Sequence, residues 1–401
     1  MAEKNRGGPL QGLRVVELTK VWAGPYVGKL LAFLGAEVIR VESLESLDVT
    51  RVYGVSDMNK APGFMAVNPQ KLSVQIDMKT PQGVQLILDL LAKSDIVVEN
   101  LRPGAVKRLG LGYEAVRAVN PGIVYVSMGM YGNEGPLAYQ TGYAPCFAAL
   151  GGVSMLVGES DAAPEGMNVR YADSTFGAAA AYAALVALLH RRRGGSGQYV
   201  DVSAVECMSS MIGDALMAYT LGGQLQRAEG NRVPDMAPHG VYPCQDGEWI
   251  AIAASSDQAW QALAGAMAQP ALAADAQLAT LAGRKAREDE LDAALAQWTA
   301  QQSAAELAAA LQARGVAAAK SHASVDMIAD PQFWERGFFL EVQDGEGHSR
   351  TALGAAWKMT DGARICDGAP RLGEHNAYVL GTLLGLPESR QQALSEAGIT
   401  R

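Results

Sequence analysis

The chain has 401 residues, of which 49% are hydrophobic and 19% charged, and its formal net charge is −9. This composition indicates a globular protein with two domains, or one large domain and a subsidiary one, and excludes a disordered chain. The acidic balance argues against a nucleic-acid-binding protein, although a local basic patch could still hold a small polyanion.

Cysteine spacing and the amino-terminal stretch indicate a cytoplasmic protein. The cysteines form no CxxC pair, which argues against a disulfide framework or a zinc site; they are Cys146, Cys207, Cys244 and Cys366. The first residues are polar, so we expect no signal peptide. The longest apolar run, 176–189, is too short for a membrane span, and we expect it to form a buried helix.

The first third of the chain alternates between strand and helix patterns. Residues 13–19, 24–36 and 37–42 predict a strand, a helix and a strand, and residues 73–78, 80–94 and 95–100 repeat that order. Further strands are predicted at 122–128 and 198–203. The fold class is therefore α/β, with an open parallel sheet whose ligands are expected beyond the carboxyl ends of the strands.

Composition then changes along the chain and predicts a second domain. We assign residues 1–224 to the large α/β domain, with a linker from about 204, and residues 225–330 to a smaller α+β domain. The smaller domain should contain a hairpin at 240–254 with its turn at Asp246, helices over 256–314, and a strand within 315–323. Residues 331–401 return to complete the large domain, with a helix near 374–385.

Asp173 stands at the head of an alanine-rich helix, where it has two interpretations. Asp is a preferred N-cap residue, so the structural interpretation is a helix cap. The functional interpretation is a nucleophile or base, because a helix amino terminus favours an ionised carboxylate, which can attack an activated acyl group. The small residues that follow it would leave room for a substrate.

Basic residues follow the predicted strand at 95–100. A Pro-Gly turn there is flanked by Arg102, Lys107 and Arg108, and Arg40 and Lys71 lie near other strands. The structural interpretation is a solvated loop, since charged runs usually face water. The functional interpretation is an anion site in which cations and backbone N–H groups hold a phosphate.

Several common site motifs are missing from the sequence. There is no GxGxxG after the first strand, no P-loop and no GxSxG nucleophile elbow. The histidines, His190, His239, His322, His348 and His375, show no metal-ligand spacing. We therefore expect neither a metal nor a nucleotide cofactor.

Taken together, five segments resemble the class III CoA-transferases, the CaiB/BaiF family. The segments are the opening 10–42, "NPQKLSVQIDMKTPQG" (68–83), "VVENLRPGAVKRLGLGYE" (97–114), "ALLHRRRGGSGQYVDVS" (187–203) and "RLGEHN" (371–376). They occur in the family's order along most of the chain. The resemblance implies a CoA-transferase that is an interlocked homodimer, with a heteromer of related chains as the alternative.

The resemblance also implies a mechanism and a set of site residues. It makes Asp173 the nucleophile that carries the acyl group as an anhydride and then CoA as a thioester. It implies coenzyme A contacts from Lys71, Leu72, Asn100, Leu101 and Arg108, with Arg40 as a phosphate partner. It further suggests that glycine N–H groups near Gly129, Gly132 and Gly135 stabilise an oxyanion. The substrates would be an acyl-CoA, such as succinyl-CoA, and an organic acid.

Departures from the family's patterns leave alternatives open. Trp22 stands where formyl-CoA transferases have glutamine, which makes oxalate doubtful as acceptor. An α-methylacyl-CoA racemase resembles this chain too, but "TGYAP" (141–145) lacks the histidine that branch uses as a second base. A non-catalytic subunit of a heteromeric transferase is the third interpretation. Arg170 is a candidate partner for a second substrate carboxylate, or a surface ion-pair residue.

Overall fold

The computed structural model describes residues 6–160, 162–165, 170–245, 247–343 and 347–401. Their packing divides the chain into two compact units. The larger unit falls within residues 1–153, 166–221 and 331–401, and the smaller within 154–165 and 222–330. Each unit has a hydrophobic core of its own.

A six-stranded parallel sheet forms the centre of the larger unit and confirms the predicted α/β class. Its strands are β1 (Arg14–Leu18), β2 (Glu37–Glu42), β3 (Leu72–Gln75), β4 (Ile96–Glu99), β5 (Val124–Gly129) and β6 (Gln198–Ser203). Their spatial order is β3-β2-β1-β4-β5-β6, so the winding direction reverses between β1 and β4. In such sheets ligands bind outside the carboxyl ends of the strands at that reversal.

Helices cover both faces of this sheet. Val15 and Val16 of β1 point to opposite faces, and both are fully buried. The helices of this part of the chain are α1 (Ala23–Phe33), α2 (Val49–Val52), α3 (Pro62–Val67), α4 (Pro81–Leu91), α5 (Ala105–Arg108), α6 (Tyr113–Val119), α7 (Ala144–Leu150), α8 (Tyr171–Arg192), α9 (Ala204–Ser210) and α10 (Gly213–Gly222). Helices α1 and α8 pack against each other, whereas α4 and α6 share the core with Val16.

The start of α4 follows the predicted capping pattern, but one predicted helix is interrupted. Thr80 caps α4 by accepting a 3.0 Å hydrogen bond from the N–H of Gly83, and Pro81 is the first helical residue. The helix predicted over 204–221 breaks into α9 and α10. Tight turns replace helical bonds at the break, where Met211 N–H donates to Met208 and Ile212 N–H donates to Ser209.

Helix α8 has the length and apolar composition of a membrane span, and among the described residues it alone passes that test. Half of its most apolar window is buried inside the protein. Burial of that extent is typical of a core helix, as the sequence predicts for residues 176–189.

The smaller unit contains a three-stranded antiparallel sheet, β7-β8-β9, packed with helices around Trp260. Its elements are β7 (His239–Pro243), β8 (Trp249–Ala253), α11 (Asp257–Ala266), α12 (Pro270–Ala274), α13 (Leu281–Ala286), α14 (Glu288–Thr299), α15 (Ala304–Gln312), β9 (Ala317–Lys320) and α16 (Ser324–Ala329). The predicted hairpin and final strand are confirmed. The predicted turn residue Asp246 lies outside the described residues.

The last segment returns to the larger unit and covers an edge of its sheet. Its elements are α17 (Pro331–Glu335), the hairpin β10 (Phe339–Gln343) and β11 (Ser349–Leu353), a π-helical stretch (Ala377–Leu383) where a helix was predicted, and α18 (Glu388–Glu396). Two residues of "RLGEHN" accept hydrogen bonds from β3. Ser73 N–H donates to His375 Nδ1 at 3.2 Å, and Gln75 N–H donates to Asn376 Oδ1 at 2.8 Å. These bonds satisfy two backbone N–H groups of β3 at the free edge of the sheet.

Candidate active site

Helix α8 carries Asp173 at the carboxyl edge of the sheet. The other end of α8 is fixed at the amino edge, where Arg191 donates to the carbonyl of Gly122 before β5 at 2.8 Å and to Asp95 before β4 at 2.6 Å. The carboxyl end of α8 therefore lies at the amino edge, where the chain continues into β6, and the amino end of α8 lies at the opposite edge. Asp173 therefore lies where ligands of this sheet class bind.

Asp173 is the third residue of α8, so the predicted N-cap role is wrong. The N-cap is Arg170, whose side chain makes no cap bond, and its carbonyl accepts the N–H of Ser174 at 2.9 Å. Only 6% of Asp173 is exposed. Within the described ranges no hydrogen bond reaches its carboxylate, so helix capping does not occupy this side chain.

Burial raises the pKa of Asp173 from 3.8 to about 6, and the positive charge of Arg170 offsets only part of that rise. This corrects the expectation that the helix amino terminus would make the carboxylate more acidic, since desolvation is the larger effect. At neutral pH the group is still mainly ionised. A weakly solvated carboxylate of raised pKa is suited to nucleophilic attack.

Two residues at the start of α8, Arg170 and Ser174, contact Trp22. The indole Nε1–H of Trp22 donates to Ser174 Oγ at 3.1 Å, and the guanidinium of Arg170 lies 5.6 Å from the centre of the Trp22 ring. Gly177 allows helix α1 to approach α8 closely, because a Cβ at Gly177 would lie 2.7 Å from the carbonyl oxygen of Ala23. The close approach of α1 and α8 places Trp22 beside the turn that carries Asp173.

The loop between β1 and α1 is held in an unusual conformation. Val21 has a φ of 68°, a left-handed value that is rare for a β-branched residue. Its N–H donates to Asp48 Oδ2 at 3.0 Å. The side chain of Asn100 accepts from Lys20 N–H at 2.7 Å and donates to the Lys20 carbonyl at 2.9 Å. The predicted site residue Asn100 thus joins the loop after β4 to the loop that leads to Trp22.

Arg40, the predicted phosphate partner, is buried among carboxylates. It is 1% exposed, and its guanidinium donates to Asp48 and to Thr19 Oγ1, the latter at 3.1 Å, with Glu17 at 3.7 Å. A phosphate would have to displace these buried carboxylates, which is costly. Arg40 supports the Asp48 that holds Val21, and its predicted phosphate contact stays a prediction.

Lys71 and Leu72, two further predicted CoA contacts, lie at the start of β3. The Lys71 ammonium is buried and donates to both oxygens of Glu17 at 2.9 Å and to the carbonyl of Pro25 at 2.6 Å. Burial lowers its pKa to about 8 against the opposing effect of Glu17. Leu72 begins β3, at the amino end of that strand. The Lys71 ammonium meets the first turn of α1 at Pro25, and Asn100 approaches the same turn at the neighbouring Gly24.

Leu101 and Arg108 remain with Asn100 on the segment after β4. Leu101 N–H donates to Glu99 Oε2 at 3.0 Å, which fixes the loop to the end of the strand. Arg108 ends the short helix α5 and is exposed, with one long contact of 3.5 Å to the carbonyl of Pro103. Its guanidinium is therefore accessible to an anionic ligand.

Sequence reasoning missed two lysines at this edge. Lys20 Nζ donates to the carbonyl and hydroxyl of Ser46 at 2.9 and 2.5 Å. Burial lowers the pKa of Lys20, Asp48 raises it, and the nearby charges of Arg40 and Lys79 lower it further. Lys79 is exposed after β3. The position of each lysine directly after a strand was the signal that could have identified them.

The glycine-rich loop after β5 is tied to the neighbouring strand. Asn133 N–H donates to Asp201 Oδ2 at 2.8 Å, and its side chain donates to Ser127 Oγ at 3.0 Å. Gly132 has a φ of 75°, and a Cβ at Gly129 would lie 2.7 Å from the Gly132 carbonyl oxygen. These glycines are needed for the tight turn. In the part of the chain that the structure describes, no cluster of three or more His, Cys, Asp or Glu residues could hold a metal.

Comparisons with known proteins agree on one family. The model of CoA-transferase family III matches residues 10–376. The chain is 35% identical to the succinyl-CoA–D-citramalate CoA-transferase of Chloroflexus aurantiacus, over 97% of each chain. It is 32% identical to the succinate–glutarate CoA-transferase of Agrobacterium fabrum, over 94% of this chain and 96% of that one. The crystal structure of a CaiB/BaiF family protein from Brucella suis matches with a TM-score of 0.88 and 34% identity, covering 94% of this chain and 100% of that one.

Proposed function

The chain belongs to CoA-transferase family III, and we propose that it moves CoA from succinyl-CoA to an organic acid through covalent intermediates on Asp173. The observation that carries this proposal is the buried carboxylate of Asp173 in the first turn of α8, at the carboxyl edge of the sheet. The two relatives named above act on succinyl-CoA or succinate, which supports succinyl-CoA as the donor.

The first half of the reaction loads CoA onto the enzyme. A carboxylate oxygen of Asp173 attacks the thioester carbonyl of the donor, the C–S bond breaks, and a mixed anhydride and CoA thiolate form. The thiolate then attacks the Asp173 carbonyl carbon. This step gives an aspartyl-CoA thioester and releases the donor acid as a carboxylate.

The second half repeats these steps in reverse order with the acceptor. The acceptor carboxylate attacks the aspartyl-CoA thioester, which forms a second anhydride and releases the thiolate again. Attack of the thiolate on the acceptor's acyl carbon gives the new acyl-CoA and regenerates the Asp173 carboxylate. Each step exchanges one activated acyl group for another, so the reaction needs no external energy source.

The residues after β1, β3 and β4 support a CoA site beside Asp173. We assign phosphate contacts to the exposed cations Lys79 and Arg108 and to the half-buried Lys20, and backbone and side-chain contacts to Asn100 and Leu101. The glycine loop at 129–135 supplies N–H groups to the oxyanions of the tetrahedral intermediates in this proposal.

Chemical trapping tests the nucleophile. The protein is incubated with succinyl-CoA, treated with hydroxylamine or borohydride, and digested for mass spectrometry. We expect modification of the peptide that contains Asp173, and none in Asp173→Asn. CoA exchange by the wild-type chain without modification of Asp173 would disprove the mechanism.

Two further readouts separate the alternatives. A racemase would exchange the substrate α-proton for deuterium without transferring CoA. A non-catalytic subunit would show no exchange when purified alone. We expect the isolated chain to transfer CoA and to leave the α-proton in place.

A further inference from the structure

Arg170 stands near the proposed nucleophile at the start of α8. It is exposed at the N-cap of α8, three residues before Asp173. Among the described residues, no hydrogen bond or ion pair takes up its N–H groups. Its only described contact through the guanidinium is the face of the Trp22 indole. An arginine held in this way presents a planar set of donors that matches a carboxylate.

Trp22 lies within cation–π distance of the guanidinium, at 5.6 Å from its ring centre. The indole is fixed at its Nε1 by the 3.1 Å hydrogen bond to Ser174, which is next to Asp173. Stacking on an aromatic face limits the freedom of the arginine without using its donors.

Arg170 and Asp173 stand three residues apart at the start of α8, a spacing that makes two side chains neighbours on a helix surface. Among the described residues they form no ion pair, yet Arg170 is near enough to lower the pKa of Asp173 against the effect of burial. A carboxylic acid whose reacting end meets Asp173 can therefore place a second charged end at Arg170.

We propose that Arg170, stacked on Trp22, binds the distal carboxylate of a dicarboxylic acyl group and so makes this enzyme specific for dicarboxylic acids. The inference rests on the proposed function, in which donor and acceptor react in turn at the one Asp173 carboxyl. Both acyl groups must then occupy the same space. Succinyl-CoA and a dicarboxylic acceptor share the free carboxylate that Arg170 recognises.

The test compares substrates that differ only in the distal carboxylate. One pair is succinyl-CoA with glutarate, and the other is butyryl-CoA with valerate, which have matching chain lengths. Wild-type enzyme should prefer the dicarboxylic pair. Arg170→Gln should lower kcat/KM for that pair by about 10- to 100-fold, the effect of losing a charged hydrogen bond, with little change for the monocarboxylic pair. For the dicarboxylic pair, kcat/KM of Arg170→Lys should lie between the values of the wild type and of Arg170→Gln.

Two controls keep the result specific. Arg192→Gln removes an exposed arginine from the far end of α8 and should change neither pair. Trp22→Phe keeps an aromatic face and should retain most of the preference, whereas Trp22→Ala should lose it.

Three results would overturn this inference. The first is an equal loss of kcat/KM for both substrate pairs in Arg170→Gln, which would indicate a contact with CoA itself. The second is no loss of kcat/KM for either pair. The third is a preference of the wild-type enzyme for the monocarboxylic pair. In each of these cases the proposed function remains supported when the wild-type enzyme transfers CoA and Asp173 is modified in the trapping experiment. Absence of all transfer by the wild type would instead remove the proposed function, and this inference with it.

Discussion

At the scale of single residues, burial of the Asp173 carboxylate raises its pKa and lowers the stability of the folded state. Its residue type and position suggested a helix cap, but it is buried in the first turn of α8 and receives no hydrogen bond from the described residues, which supports its proposed role as the nucleophile. Local sequence predicted that a carboxylate would stand in the first turn of α8. It could not predict the raised pKa, because desolvation depends on segments distant in sequence, such as α1, which packs against α8.

The first prediction concerns pH. Attack requires the Asp173 carboxylate, and a raised pKa means that this form is lost as the pH falls through about 6. We expect kcat/KM for succinyl-CoA to be level above about pH 7 and to fall about tenfold per pH unit below 6. Thermal melts across the same range control for unfolding. A level profile down to about pH 4.5 would contradict the assignment.

The second prediction concerns stability. The folded state raises the pKa of Asp173 from 3.8 to about 6, which destabilises it by about 3 kcal/mol at neutral pH. Asp173→Asn should therefore raise the free energy of unfolding by about 1–3 kcal/mol near pH 7.5, after the loss of about 0.3–1 kcal/mol from the helix dipole. The gain should vanish near pH 4, where wild-type Asp173 is protonated in the folded state.

Glu114→Gln is the matched control for that measurement, since Glu114 lies in the first turn of α6 and is exposed. Its effect should stay within about 0.5 kcal/mol. Chemical denaturation at both pH values measures the difference. A less stable Asp173→Asn protein near pH 7.5 would show that the carboxylate stabilises the fold.

At the scale of elements, the strand and helix periodicity predicted the sheet but not its buried charges. In β2 the side chains of "EVIRVE" (37–42) alternate between the two faces of the sheet, and Arg40 was expected to reach a phosphate from one of them. Helices cover that face as well, so Arg40 and Glu42 are buried and must pair with opposite charges. Lys71 is buried in the same way against Glu17. A covering layer formed by distant segments is not visible in the pattern of one strand.

The third prediction concerns the contact between α1 and α8. Alanine normally stabilises a helix interior relative to glycine by about 1 kcal/mol. At Gly177 the added Cβ would meet the Ala23 carbonyl oxygen at 2.7 Å and Tyr26 Cβ at 3.0 Å, so the helices must separate. We expect Gly177→Ala to lower the free energy of unfolding by about 1–3 kcal/mol and to lower kcat, because Trp22 and Ser174 move apart.

Gly265→Ala is the control for this substitution. Gly265 lies within α11, and a Cβ there would meet nothing within 4 Å. That variant should be as stable as the wild type or more stable, with unchanged kcat. Equal behaviour of the two variants in denaturation would show that the approach of α1 and α8 is not tight.

At the scale of the whole molecule, the composition change near residue 225 predicted a second domain. We retain the organisation of 1–224, 225–330 and 331–401 as a proposal, together with the interlocked dimer that the family resemblance implies. Exposed apolar side chains of α8 and α10 support an interface with a second copy. They include Tyr182, Val186, Leu189, Leu216, Met217, Tyr219 and Leu221.

The fourth prediction concerns assembly. We expect the purified chain to be a dimer by light scattering coupled to size exclusion. Tyr182→Asp combined with Leu216→Asp should weaken the dimer, since both side chains are exposed and an interface would bury them. Val325→Asp, an equally exposed apolar residue of α16, is the control. A wild-type monomer, or a dimer unaffected by the double substitution, would contradict this interface.

Transfer of ¹⁸O from the acceptor to Asp173 tests the central claim most directly. When both oxygens of the acceptor carboxylate are ¹⁸O, the second anhydride contains one of them as its bridge, and attack of the thiolate leaves that oxygen on Asp173. After one turnover with succinyl-CoA, the peptide that contains Asp173 should be about 2 Da heavier, and the new acyl-CoA should keep one labelled oxygen. Formation of the new acyl-CoA with no label in that peptide would contradict nucleophilic catalysis by Asp173.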